Sequence, residues 1–232
     1  MANIEIVYTF EVQNKEKFVY PIFIDKKTLS LVSEGRGVPP RWTALENCQC
    51  KVCPLIKDRD PYCPIAVNID GVVEYFKDFY STDEMHITVR TEERAYFKKA
   101  PAQRGLASIL GVIMATSGCP IMSFLRPMAK FHLPFSTSEE TIIRSTSMYL
   151  LAQYFVTKKG GRPDISLDKL NRAYDDVRQV NEGICKRIDT VVQKKDATKN
   201  AVIILHTFTQ LLAMEINDKL DSLQSLFEGI QI

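Results

Sequence analysis

Four of the six cysteines in this 232-residue chain lie within residues 47–64, in the stretch NCQCKVCPLIKDRDPYCP. They are Cys48, Cys50, Cys53 and Cys63. Thiolates are soft ligands that suit zinc and iron–sulfur clusters, and a closed tetrahedral zinc site takes four thiolates or three with a histidine. The grouping therefore predicts a cysteine-ligated metal site, with zinc or an iron–sulfur cluster as the cofactor.

Three cysteines, Cys53, Cys63 and Cys119, are each followed directly by proline. Proline is favoured at the first helical position, so this order predicts that each of the three cysteines begins a helix. The helix dipole and the free N–H groups at such a position favour a thiolate over a thiol. The three pairs therefore predict cysteines in an electrostatic setting that suits metal binding.

The predicted metal ligands are Cys50, Cys53, Cys63 and Cys119. Cys48 is a weaker choice for the fourth ligand, because in an extended chain it would point the same way as Cys50 and crowd it. His132, in the stretch AKFHLPF, is a further alternative, since a neutral imidazole can complete a Cys₃His site. The spacing matches neither a zinc ribbon nor a complete ferredoxin run. Two other interpretations stay open: Cys50 and Cys53 as a thiol redox pair, or buried cysteines that act as small hydrophobic residues.

The composition limits the classes of partner. Thirty basic and 28 acidic residues give a net charge of +2, and no block of lysine or arginine stands out. This balance predicts no specific affinity for nucleic acid or for membranes. The longest near-apolar run, residues 106–115, is far shorter than the roughly 20 residues of a membrane span, and the N-terminus lacks a signal-peptide pattern. We therefore expect a cytoplasmic protein, in which clustered cysteines favour metal binding or redox chemistry over disulfides.

Alternating apolar residues predict a small antiparallel sheet near the N-terminus. Residues 4–10 and 18–24 alternate with period two on either side of the turn residues QNKEK, which predicts a β-hairpin. Pro21 cannot donate a ladder hydrogen bond, so its strand is predicted to lie at an edge. Residues 85–89 predict a third strand, and residues 65–80 predict a helix.

After the third strand the periodicity is helical. Ser136 or Thr137, each with glutamate three residues later, predicts a capping box for a helix that ends near residue 158. The many apolar residues of this helix predict a central position. Two long apolar stripes, over residues 167–191 and 205–227, then predict an antiparallel hairpin of helices about 27 residues long, joined by the short polar connection QKKDA.

Asn181 interrupts the first of these two stripes. A polar residue in an apolar seam commonly fixes register or partner choice, so Asn181 is predicted to bond another buried polar group within the bundle or across a dimer interface. The alternative is that the stripe turns to solvent at this point. The stripes also allow a homodimer through the C-terminal helices.

These elements predict an α+β fold: a small N-terminal antiparallel β-sheet and a larger helical bundle that ends in a long antiparallel helix hairpin. We divide the chain at residue 95. Residues 1–95 form a small α+β region with the cysteine-rich loop, residues 96–232 form the helical bundle, and the two parts are expected to make one compact unit. No general acid–base pair accompanies the cysteines. The sequence thus favours a non-enzymatic binding or regulatory protein; the alternative is a metal- or thiol-dependent redox enzyme that uses Cys119 or the Cys50/Cys53 pair.

The segments QCKVCPL, YCPIAVNI, SGCP, FHLPF and EET together resemble a family of uncharacterised bacterial proteins described as a domain of unknown function, over residues 40–227. The resemblance implies a bacterial cytoplasmic protein and gives no activity or substrate. The family's pattern matches here at Cys50, Cys53, Cys63 and Cys119, and Cys48 is an extra cysteine. The resemblance therefore implies Cys119, ahead of Cys48, as the fourth ligand.

Overall fold

The computed structural model describes residues 3–12, 17–32, 37–192, 195–218 and 220–229. Its strands are β1 (Asn3–Glu11), β2 (Phe18–Asp25), β3 (Glu84–Arg90) and β4 (Ala95–Pro101). Its helices are α1 (Pro64–Phe76), α2 (Ala102–Thr116), α3 (Arg126–Lys130), α4 (Ser138–Lys158), α5 (Asp168–Asp189) and α6 (Ala197–Asn217). Short 3-10 segments occupy Arg41–Thr43, Ile121–Leu125 and Asp221–Phe227. The predicted α+β fold is confirmed.

The sheet is antiparallel, with the strand order β2-β1-β3-β4. The alternating residues put one face of the sheet into the core, where Ile6, Tyr8 and Phe10 of β1 are almost fully buried. Helix α2 packs closely on this face at Gly105, where an added Cβ would overlap the side chains of Phe10 and Ile87.

The predicted hairpin and third strand are present as β1, β2 and β3. Pro21 lies on β2 at the sheet edge, as its missing N–H requires. Residues 13–16 of the predicted turn lie outside the described residues. Strand β4 was not predicted, and it begins at the residue where we divided the chain. The division itself stays a prediction.

Helix α4 begins as its capping box predicts. Thr137 Oγ1 accepts the N–H of Glu140 at 3.1 Å, and Glu140 Oε2 accepts the N–H of Thr137 at 2.7 Å. The predicted central position of α4 is wrong, because its apolar residues largely face outward: Leu151, Tyr154 and Phe155 are at least half exposed.

Helices α5 and α6 form the predicted antiparallel hairpin. Asp189, at the end of α5, pairs with Lys199 near the start of α6 at 2.8 Å, and Asn171 bonds Asn217 at the opposite end at 3.0 Å. The helices are 22 and 21 residues long, shorter than predicted. Helix α6 ends before Leu220, which belongs to the second predicted stripe and has a left-handed φ of 59°. Residues 193–194 of the connection lie outside the described residues.

Among the described residues, no single helix is long and apolar enough to cross a membrane. The pair Ala102–Thr116 and Ile121–Lys130 passes that test together by length and composition, with a bend of 114° between its members.

The packing of α5 gives a direct stability test. Ile184 is 0% exposed, so Ile184→Ala should lower the free energy of unfolding by about 2–5 kcal/mol, the usual range for a truncation that leaves a core cavity. Ile203 on α6 is 43% exposed and provides the matched control, whose truncation should cost about 0.5 kcal/mol or less. Urea unfolding of both variants measures the difference, and equal losses would contradict the packing described.

Candidate cysteine site

The loop that carries the cysteines is closed on itself and on α1. The N–H of Leu45 donates to Pro61 O at 2.8 Å, and the N–H of Cys63 donates to Thr43 O at 2.8 Å. Trp42 Nε1 donates to Asp70 Oδ1 on α1 at 2.9 Å. These bonds hold the two ends of the loop together at the point where α1 begins.

The guanidinium of Arg187 on α5 is fully buried against this loop. Its Nη1 donates to the carbonyl oxygens of Trp42 at 3.1 Å and Ala44 at 2.6 Å, and its Nη2 donates to that of Leu45 at 2.8 Å. Its Nε has no hydrogen-bond partner, and no carboxylate pairs with Arg187 among the described residues. A buried cation of this kind is unusual, because buried charges are normally paired.

Cys50 packs directly against α5 at Gly183. A Cβ added at Gly183 would lie 2.5 Å from Cys50 Sγ and 3.8 Å from Cys48 O, so no larger residue fits without displacing the thiol. Glycine within a helix costs roughly 0.5–1 kcal/mol relative to alanine. Close approach of the cysteine loop gives a physical reason for glycine at this place in α5.

Cys63 and Cys119 are brought together by contacts between α1 and the end of α2. Asn68 Nδ2 on α1 donates to Pro64 O at 2.7 Å and to Ser117 O at 3.4 Å. A Cβ at Gly118, whose φ is 93°, would lie 3.9 Å from Pro64 Cβ. Cys119 therefore lies beside the first turn of α1, which Cys63 caps.

The four predicted ligands are close enough for their charges to interact. Burial first, then the thiols of Cys63, Cys53 and Cys119, raise the pKa of Cys50 to about 12, and Arg187 opposes this rise. Burial also raises the pKa of Cys119, to which Cys63 and Cys53 add, while the N–H groups of Met122 and Ile121 lower it. The structure thus brings Cys50, Cys53, Cys63 and Cys119 into one neighbourhood.

Two observations on this neighbourhood point in different directions. The electrostatic interactions place the four thiols near one another, yet no three or more His, Cys, Asp or Glu side chains of the described residues stand in an arrangement that would hold a metal ion. The thiols are neighbours, and ligation of one metal would require a change in their arrangement. The metal ligand set stays a prediction.

The predicted helix starts are found at two of the three Cys-Pro pairs. Cys63 is the N-cap of α1, and Cys119 precedes the turn that leads through Ile121–Leu125 into α3. Cys53 does not begin a helix, because the chain after it stays irregular until α1. The prediction that helix starts favour thiolates is also wrong for Cys119, since burial outweighs the N–H groups of Met122 and Ile121 and raises the pKa of its thiol.

The alternative ligands Cys48 and His132 have other contacts. Cys48 has a left-handed φ of 57°, so it is not in the extended conformation we assumed, and its thiol donates to Asn47 Oδ1 at 3.7 Å. His132 Nε2 lies 2.5 Å from Tyr8 Oη and 3.3 Å from Ser108 Oγ. Burial, with Arg144 adding to it, lowers the pKa of His132 to about 3, so the imidazole is neutral.

Arg187 and Gly183 are the site residues that sequence reasoning missed. Both had a local signal: Arg187 continues the row of Val180 and Ile184 at spacings of three and four, where an apolar residue is expected, and Gly183 interrupts an otherwise strong helix. The sequence pattern does not reveal what they contact, because the loop residues that they contact lie more than 130 residues earlier in the chain.

The fold and site together define an α+β protein in which a cysteine-rich loop, held by a buried arginine, lies close to the thiol of Cys119 beside a helical bundle. The chain belongs to the family described as Domain of unknown function (DUF6901), which matches residues 6–228. No curated protein matches the chain, and no solved structure matches it.

Removal of the Arg187 guanidinium should destabilise the loop. Arg187→Met keeps the apolar stem but removes three hydrogen bonds to loop carbonyl oxygens. Asn47 still donates to Trp42 O and Ala44 O, so the loss falls mainly on Leu45 O and should cost about 1–3 kcal/mol in urea unfolding. Arg178→Met is the control, because Arg178 lies on the same helix in a surface ion pair with Asp175. A loss of less than about 1 kcal/mol for Arg187→Met would show that the buried cation does not hold the loop.

The neutral His132 predicts a pH dependence of stability. Its pKa falls from 6.5 in the unfolded chain to about 3 in the folded protein, so the unfolded state binds the proton first and stability is lost as pH falls below 6.5. His132→Gln should therefore reduce the loss of unfolding free energy between pH 7 and pH 5, by at most about 2 kcal/mol. His86→Gln, on the exposed side of β3, is the control, and an unchanged pH dependence in His132→Gln would contradict the buried neutral state.

Proposed function

We propose that this protein binds a soft metal, zinc or an iron–sulfur cluster, through Cys50, Cys53, Cys63 and Cys119, and that it acts as a non-enzymatic binding or regulatory protein. The observation that supports this is the convergence of four thiols beside one buried arginine. Cys50 and Cys53 come from the cysteine loop and Cys63 from the adjoining start of α1, whereas Cys119 comes from the connection after α2, far along the sequence. Such convergence is what a tetrahedral thiolate site requires.

The charge of Arg187 supports a site that carries negative charge. Four thiolates around Zn²⁺ have a net charge of about −2, and common iron–sulfur clusters with four thiolates are also anionic. No carboxylate among the described residues pairs with Arg187, so a metal–thiolate centre would supply the countercharge that this buried cation lacks. Arg187 would in turn favour the thiolate of Cys50.

The chain's residues would hold such a metal at the junction of three elements. Bonds from the four sulfurs would fasten the cysteine loop to α1 and to the end of α2, as structural metal sites do in small domains. Since the pKa values of Cys50 and Cys119 are raised, binding must release their protons. The affinity for metal should therefore rise with pH.

The thiol redox alternative has less support. A nucleophilic cysteine needs an accessible thiolate with a lowered pKa. The redox interpretation would use Cys119 or the Cys50/Cys53 pair, and burial raises the pKa of both Cys119 and Cys50. This weighs against a redox enzyme.

The setting of the protein is part of the same proposal. We propose a bacterial, cytoplasmic protein without specific affinity for nucleic acid or membranes. The balanced charge of +2 supports the absence of a nucleic-acid surface. A homodimer through the C-terminal helices remains a proposal, with the half-exposed side chains of Ile203 and Met214 on α6 as available apolar surface.

The metal proposal predicts a difference between two cysteine variants. Protein purified without oxygen should contain bound zinc, or iron with sulfide and a brown colour, by elemental analysis. Cys53→Ser should lose most of this metal and a large part of its thermal stability, because metal-binding free energy contributes to folding. Cys185→Ser should keep both, since Cys185 is also partly buried but lies on α5 outside the group of four.

The same variants separate the alternatives. A redox pair would leave the stability of Cys53→Ser intact and abolish only the formation of a disulfide on oxidation. Wild-type protein without metal, or equal metal content in Cys53→Ser and Cys185→Ser, would overturn the proposed site.

A further inference from the structure

A cavity of about 160 Å³ lies inside the helical bundle, apart from the cysteine site. Its wall comes from α2, α5 and α6 together with the segment between α2 and α4. Most of the lining is apolar, as Val112, Val177, Leu205 and Phe208 illustrate. A dry apolar cavity of about 150 Å³ is large enough to bind benzene, so this space can hold one ring or a chain of similar size.

Asn181 is the polar residue in this wall that lacks a partner. It is 1% exposed, and neither its Nδ2 nor its Oδ1 forms a hydrogen bond. The prediction that Asn181 bonds another buried polar group of the chain is therefore wrong for the described residues. Each buried polar atom that lacks a hydrogen-bond partner lowers the free energy of unfolding. Native proteins rarely retain such groups without a reason.

The other polar groups in the wall already have partners within the protein. Tyr174 Oη lies 2.6 Å from Ser145 Oγ, and Thr209 Oγ1 donates to His206 O at 2.7 Å. Ser108 Oγ lies 2.8 Å from Tyr8 Oη. The amide of Asn181 is therefore the group in this wall whose hydrogen-bonding capacity is wholly unused.

We propose that this cavity binds a small neutral molecule with an apolar body of about six carbons and a head group that presents one donor and one acceptor side by side, such as a carboxamide or lactam. Asn181 Nδ2 donates to the acceptor of the head group, and Asn181 Oδ1 accepts from its donor. The apolar wall contacts the body. This matches the general form of small-molecule sites, which are apolar with a few fixed polar groups.

A neutral head group fits better than a carboxylate. A carboxylate offers acceptors only and would leave Asn181 Oδ1 without a donor. Arg104 and Arg144 also line the cavity, but their guanidinium groups donate to backbone carbonyls, Arg104 to Phe135 O at 3.5 Å and Arg144 to Phe131 O at 2.7 Å. An anionic ligand that used these arginines is the competing outcome of the test below.

Three probes of similar size distinguish the possibilities: benzamide, benzoate and toluene. Binding to the full-length protein is measured by ligand-detected NMR titration and by the shift in melting temperature. Benzamide should bind at least about tenfold more tightly than toluene, because it forms hydrogen bonds with both unpaired atoms of the Asn181 amide. Benzoate should bind no more tightly than toluene.

Two variants should weaken benzamide binding without unfolding the protein. Asn181→Leu replaces an unpaired amide with an apolar side chain of similar size, so it should raise the melting temperature and weaken benzamide binding at least tenfold. Gly111→Ala adds a methyl group to the cavity wall, 3.5 Å from Leu205 Cδ2, and should weaken all three probes while stabilising α2.

Thr198→Val is the matched control, because Thr198 Oγ1 is also buried and unpaired but does not line the cavity. It should leave benzamide binding unchanged. Three results would overturn the proposal: no binding of any probe, tightest binding of benzoate, or unchanged benzamide binding in Asn181→Leu. The proposal does not depend on the metal site, and metal content and probe binding are measured separately.

Discussion

The buried guanidinium of Arg187 is the interaction on which the cysteine site depends. It donates to three carbonyl oxygens of the loop, Trp42, Ala44 and Leu45, and thereby fixes the backbone of residues 42–45 against α5. Once this segment is fixed, Cys63 follows at the start of α1 through the bond from its N–H to Thr43 O. The buried guanidinium also opposes the rise in the pKa of Cys50, although burial outweighs it. One side chain thus fixes the position of the loop and contributes to the electrostatics of the site.

Helix α5 forms part of both proposed sites. Near its middle, Val177 and Asn181 line the cavity, and towards its C-terminal end, Gly183 and Arg187 contact the cysteine loop. Met122 has a similar double position, because its side chain lines the cavity and its N–H faces the thiol of Cys119. The residues of α5 that depart from an ideal amphipathic helix, an amide, a glycine and an arginine, are those that serve the two sites.

Periodic elements could be predicted from the sequence, and tertiary contacts could not. Strand β1 and helix α5 could be recognised because an element that is buried on one face has apolar residues at a regular spacing. The period is two residues in a strand and 3.6 in a helix. Strand β4 was missed because its residues, AYFKKAP, are mostly exposed and do not alternate. The prediction that α4 lies centrally was wrong because its apolar residues are exposed, and an apolar side chain is not always buried. The grouping of Cys50, Cys53, Cys63 and Cys119 was predicted from the chemistry of thiols, whereas the raised pKa values of Cys50 and Cys119 depend on burial, which no local pattern reports.

The central claim is that one metal is held by sulfur from these four cysteines. X-ray absorption spectroscopy at the metal edge, on protein purified without oxygen, measures the ligand atoms directly. The account predicts a first shell of four sulfur atoms at about 2.3 Å for zinc, or the iron–sulfur and iron–iron distances of a cluster. A shell dominated by nitrogen or oxygen, or protein with no metal to measure, would contradict it.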